Sequence, residues 1–192
     1  MLVVTNRLLC KDDFLMRIGR IAGLQPAPSA IILREKDLSE EAYEKLAEEV
    51  LAVCRENKVM CILHTHVAVA KKLGATAIHL PFTTFVSMQE SKALEEFKTI
   101  GVSIHSSEEA KSAERLGASY IIAGHIFPTD CKKDLPPRGL HFLQEVCESV
   151  SVPVYAIGGI TPENVMQVKQ AGAADVCVMS GMMQNDVWEC TK

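Results

Sequence analysis

The chain has 192 residues, of which 48% are hydrophobic and 23% charged, with a formal charge of −4 at pH 7. That composition belongs to a folded globular domain and excludes a disordered tail or a basic nucleic-acid binder. No apolar run reaches the roughly 20 residues of a bilayer-spanning helix, and MLVVTNRLLCKDD is too soon charged for a signal peptide, so no membrane partner and a cytoplasmic location are expected. The seven cysteines have no repeated spacing, which fits free thiols in a reducing compartment better than a disulfide framework.

In chain order, short β-branched runs alternate with longer amphipathic stretches. Residues 2–4 read as a strand and 11–22 as a helix. A second strand covers 30–33, and Ser39 caps a helix running to about Arg55. A strand at 59–63 leads into a short helix ending at Leu73. Strand 76–80 is followed by a helix expected at 87–98. Strand 101–105 precedes a helix capped by Ser107. Strand 120–124 opens a long loop, 127–138, before the helix 140–149. Strand 152–157 is followed by a helix starting at Thr161-Pro162-Glu163, and 174–180 is the last strand.

The strands are continuous apolar runs, as in a parallel sheet covered on both faces. Gly74, Gly117 and Gly172 each stand between a helix end and a strand start, where a left-handed residue is wanted. Eight such units favour a closed (βα)8 TIM barrel over an open doubly wound sheet, as a single domain over 1–192. The fold usually takes about 250 residues, with a lower limit near 200. Only 181–192 remain after the last strand, so the final helix is expected to be truncated. Val187 and Trp188 are the bulkiest apolar residues of that tail. A partner subunit, as in a homo-oligomer, or the N-terminal segment is expected to cover the surface left there.

Barrel chemistry sits at the C-terminal ends of strands. Gly158-Gly159 and Ser180-Gly181 follow the seventh and eighth strands. They suit either a phosphate site, through closely approaching backbone N–H groups, or plain tight turns. Arg34 and Lys36 flank Glu35 after the second strand, as anion contacts or as a solvated loop. His64 and His66 would face one side if their strand ran through both, inviting a metal. Apart from Glu35 no carboxylate stands with them at a strand end and no ligand spacing is present, so none is expected. His125 precedes the long loop that carries Thr129, Lys132, Lys133 and Arg138. It suits either acid–base work or the capping of a buried turn. Cys131 lacks an activating neighbour.

The segments LVVTN (2–6), LREK (33–36), LGATAIHL (73–80), GVSIHSSEEAKSAERLGASYIIAGHIFPT (101–129), PPRGL (136–140), VPVYAIGGITPENV (152–165) and VMSG (178–181) resemble the thiamine phosphate synthase/TenI superfamily over nearly the whole chain. The resemblance implies a (βα)8 barrel that binds a thiazole phosphate. One activity of the superfamily joins hydroxymethylpyrimidine diphosphate to thiazole phosphate and releases pyrophosphate with Mg²⁺. Its metal carboxylates follow strands three and four, where this chain has His64-Thr65-His66 and Pro81-Phe82-Thr83-Thr84. Arg34 and Lys36 match its diphosphate positions.

The other activity is the TenI-type thiazole tautomerase. Its loop after strand six resembles Gly124-His125-Ile126-Phe127-Pro128-Thr129-Asp130-Cys131-Lys132-Lys133. On that loop the chain reads as an isomerase without metal or cofactor, aromatising a carboxythiazole phosphate tautomer. The resemblance makes His125 the proton-transfer residue. Arg34, Lys36, Thr129, Lys132, Gly158, Gly159, Ser180 and Gly181 are the expected substrate contacts. The alternatives are a Mg²⁺-dependent thiamine phosphate synthase and a non-catalytic regulatory protein that binds thiazole phosphate.

Overall fold

A computed structural model of the chain describes residues 1–133 and 135–184, with only the backbone of Lys132. Eight parallel strands close into a barrel in sequence order: β1 (Leu2–Val4), β2 (Ala30–Leu33), β3 (Met60–His64), β4 (Ala77–Pro81), β5 (Thr99–Ile104), β6 (Tyr120–Gly124), β7 (Val154–Ile157) and β8 (Asp175–Val178). Between them lie α1 (Phe14–Ala22), α2 (Glu40–Glu56), α3 (Val67–Lys72), α4 (Phe82–Glu90), α5 (Ser107–Arg115), α6 (Gly139–Ser149) and α7 (Val165–Gln170). α8 (Ser180–Gln184) follows the last strand. Every residue of β2 and β6 is buried, as a parallel sheet wrapped by helices requires. The expected TIM barrel is therefore present. Val187 and Trp188 lie outside the described residues.

The chain divides into two compact units. One holds Met1–Ile78 with the described residues from Val178 onward, and the other is His79–Cys177. In the first unit β1 pairs with β2 and β2 with β3, with Val4 opposite Ile32 and Leu33 opposite Leu63. Asp13 caps α1 by accepting from the Met16 N–H. Ser39 caps α2, as its sequence predicts, with Glu40 and Glu41 in the first turn. Tyr43 on α2 is fully buried. Its hydroxyl donates to the Leu33 carbonyl at 2.7 Å and accepts the His64 N–H at 3.0 Å. Burial holds this phenol well above its ordinary pKa. Met182 and Met183 of α8 are buried, and the Cys10 thiol lies 3.7 Å from the Met183 sulfur. The N-terminal segment thus touches α8.

In the second unit β5 pairs with β6, β6 with β7, and β7 with β8. Its interior holds a polar cluster. His79 is buried, with Nδ1 3.0 Å from the Tyr120 hydroxyl and Nε2 2.7 Å from Ser103 Oγ. Gly101 lies under this cluster, where a Cβ would overlap Tyr120 and His79. Several boundaries differ from their sequence expectation by a few residues, and three of them have a local cause. α4 starts directly at Phe82, not near 87, because Pro81 ends β4 and fits the cap position. α5 is capped by Ser106, which accepts from the Glu109 N–H, so Ser107 is its first residue. α7 starts only at Val165, because Asn164 ties the preceding turn to the Thr161 N–H and the Gly159 carbonyl. Gly74, Gly117 and Gly172 all have the expected positive φ. The six described cysteines are free.

Candidate active site

In the first unit the end of β2 carries Arg34, Glu35, Lys36 and Asp37. Arg34 is half-buried, Lys36 is exposed and Glu35 is 2% exposed. The Glu35 carboxylate accepts the Thr5 hydroxyl at 2.7 Å, the Arg7 N–H at 3.0 Å on both oxygens, and the Arg7 guanidinium at 3.4 Å. Arg7 also grips Asp37 at 2.7 and 2.6 Å, a bidentate pair that holds the Asp37 carboxyl below its ordinary pKa. The Thr5 hydroxyl in turn accepts the Arg34 N–H at 2.9 Å. Sequence reasoning names Arg34 and Lys36 and misses Thr5, Arg7 and Glu35. The missed signal is the alternation of charge from 34 to 37 directly after an apolar strand, which puts one acid on the buried side.

The end of β3 does not present two imidazoles on one face. The strand stops at His64 and Thr65 has a φ of +69°, so the alternation needed to align His64 with His66 is broken. The Thr65 hydroxyl lies 2.7 Å from His64 Nδ1, and the His66 ring stacks on Tyr43 with centroids 4.0 Å apart. His79 of β4 is held inside the second unit by Tyr120 and Ser103. Ser180 and Gly181 open α8 and are half-buried.

In the second unit His125 follows β6 and is 5% exposed. Its Nε2 lies 3.2 Å from the Leu135 carbonyl. A carbonyl only accepts, so Nε2 is the donor in this contact. The Arg138 and Gly139 N–H groups bond the carbonyls of His125 and Ile126, closing the long loop at its base. The other edge of the loop is sewn to β7, where the Ile126 and Phe127 N–H groups bond the Ile157 and Gly158 carbonyls.

Gly158 and Gly159 have φ of +100° and +64°. A Cβ on Gly158 would overlap that of His125, and one on Gly159 would overlap the Pro128 carbonyl oxygen. Both glycines are thus required by the loop packed upon them, before any ligand is considered. Thr129 caps a 3-10 turn by accepting from the Cys131 N–H. Lys133 pairs with Asp130 at 3.2 Å, and Arg138 lies over the Phe142 ring. The side chain of Lys132 lies outside the described residues.

A family model described as thiamine monophosphate synthase matches residues 1–182. The chain belongs to that family. A putative thiamine-phosphate synthase 2 of Aquifex aeolicus is 34% identical over 181 residues, spanning 94% of this chain and 96% of its own. A thiamine-phosphate synthase of Pyrococcus abyssi is 32% identical over 191 residues, spanning 99% and 90%. The solved thiamine phosphate pyrophosphorylase of Pyrococcus furiosus superposes with a TM-score of 0.79 at 29% identity, covering 97% of this chain and 88% of that one.

These relatives correct the isomerase reading. They carry the names of a transferase of the thiamine monophosphate synthase family, and none of the three is named a tautomerase. The expectation gave ten residues of one loop more weight than the match along the chain. With it goes the assignment of His125 to aromatising proton transfer.

The Mg²⁺ that the resemblance implies for a synthase needs hard oxygen ligands. The residues present do not fit it. After β3 stand His64, Thr65 and His66, and after β4 the helix starts at once with Phe82, Thr83 and Thr84. Among the described residues no group of three or more His, Cys, Asp or Glu is arranged to hold a metal. Glu35 is occupied by Thr5 and Arg7.

Proposed function

We propose that this chain is a transferase of the thiamine-phosphate synthase type. It joins an activated pyrimidine diphosphate to a thiazole phosphate. The thiazole nitrogen bonds to the pyrimidine's methylene carbon, the carbon–oxygen bond to the diphosphate breaks, and pyrophosphate leaves with the electron pair. The observation that carries this reading is likeness along nearly the full length to proteins named for that activity. Both substrates are anionic, so the chain's contribution is to bind and orient them.

Arg34 and Lys36 are the proposed contacts for the diphosphate. Gly158 and Gly159, with Thr129 and Lys132, are proposed to meet the thiazole phosphate through N–H, hydroxyl and ammonium groups. Ser180 and Gly181 are proposed anion contacts of the first unit. His125, with its Nε2 proton committed to Leu135, is proposed to shape the loop edge of the thiazole site.

The test is to incubate the purified chain with both substrates and Mg²⁺ and to follow thiamine phosphate and pyrophosphate together. Equal amounts of the two are expected, with at least about tenfold less in Arg34→Ala, the loss of one charge-assisted contact. No product from the wild type overturns the proposal. One observation, the lack of carboxylates after β3 and β4, favours a second reading: a barrel that binds thiazole phosphate without turnover. Saturable thiazole phosphate binding with no product would select it.

A further inference from the structure

We infer that Glu35 is a positioning residue that sets Arg34 to receive the diphosphate; this rests on the proposal that Arg34 is one of its contacts. The sequence from 34 to 37 alternates base and acid. Here both acids are directed to Arg7, which comes from the loop after β1. Glu35 receives the Arg7 N–H on both oxygens and the guanidinium at 3.4 Å, and Asp37 receives the same guanidinium at 2.7 and 2.6 Å. One arginine thus holds both carboxylates of the string.

The link to Arg34 is direct. Thr5 is fully buried, and its hydroxyl has a single proton, which goes to Glu35 Oε1 at 2.7 Å. Its lone pairs are left to accept the Arg34 N–H at 2.9 Å. The buried carboxylate therefore fixes the direction of the hydroxyl, and the hydroxyl fixes the main chain of Arg34. A glutamine at 35 would turn N–H groups toward the Arg7 N–H, donor against donor, and would remove the charge that holds the guanidinium. A valine at 5 keeps the shape and cuts the link.

The experiment titrates inorganic pyrophosphate into the full chain by calorimetry, without added metal, for wild type, Arg34→Ala, Glu35→Gln and Thr5→Val. Thermal melts are run in parallel, and steady-state kinetics follow with the pyrimidine diphosphate. We expect Arg34→Ala to weaken binding most, Glu35→Gln about tenfold and Thr5→Val about threefold. KM for the diphosphate rises in step while kcat stays within about twofold, the signature of lost ground-state binding.

If Glu35→Gln does not fold, Thr5→Val alone carries the decision. Failure of the wild type to bind, or equal binding by Arg34→Ala, overturns the assigned contacts and this inference together. A clear loss in Arg34→Ala with wild-type binding in Glu35→Gln and Thr5→Val overturns the inference alone, as does a lowered melting temperature at unchanged affinity.

Discussion

The end of β2 and the end of β6 are both built to hold a loop still, and they do it with different forces. At β2 the fastening is made by side chains: Glu35, Thr5 and Arg7 form a buried, charge-assisted cluster. At β6 it is made by the main chain. Four N–H groups, from Ile126, Phe127, Arg138 and Gly139, tie the long loop down, and Gly158 and Gly159 provide the space. A side-chain cluster loses strength bond by bond. A main-chain seam depends on room, and a single methyl group closes it. The difference teaches that a charged string in sequence can be scaffold, while a glycine pair suited to phosphate can first be a packing requirement.

The largest effect is expected where room is the issue. Gly158→Ala must overlap His125 Cβ and strain a φ of +100°, and it should lower unfolding free energy by about 3 kcal/mol or more in urea titrations. A loss under about 1 kcal/mol would break the comparison, since the seam would then tolerate side chains. Next comes Glu35→Leu. It strands the Thr5 hydroxyl and the Arg7 N–H in a buried place and should cost about 2–3 kcal/mol by the same measurement. Ser103→Ala then asks how much the second unit depends on a side-chain bond. It removes one of the His79 partners, at 2.7 Å, and about 1 kcal/mol is expected.

The smallest effect is a pH dependence. Burial lowers the His66 pKa from 6.5, so the folded chain takes up the proton less readily than the unfolded one. Stability from this residue is complete above the unfolded value and is lost as pH falls toward the lowered folded value. Between about pH 7 and pH 5 the melting temperature of wild type should fall by about 1 °C more than that of His66→Phe, which keeps the stack on Tyr43. No difference between the two slopes would remove His66 from the account.

The barrel was legible because its signals are local and repeated. Apolar runs, caps and loop glycines each act within a few residues, and Ser39 and the glycines at 74, 117 and 172 occupy their expected places. Failures came where a residue acts across the sequence. Arg7 and Glu35 are 28 positions apart, and nothing local shows that they meet. The pairing of His64 and His66 failed because Thr65 turns left-handed, a backbone choice that its side chain does not announce. The activity was misread for a related reason. A short loop match around His125 is specific in letters, but its chemistry depends on distant residues that the match does not include.

Tyr43 has one more consequence. In the parallel register of Leu33 with Leu63, the His64 N–H and the Leu33 carbonyl are natural ladder partners. Each is bonded to the Tyr43 hydroxyl as well. A phenol from an outer helix therefore clasps the seam between two staves. The last rung between β2 and β3 is thus also fastened from α2, and one residue of that helix reaches both strand ends.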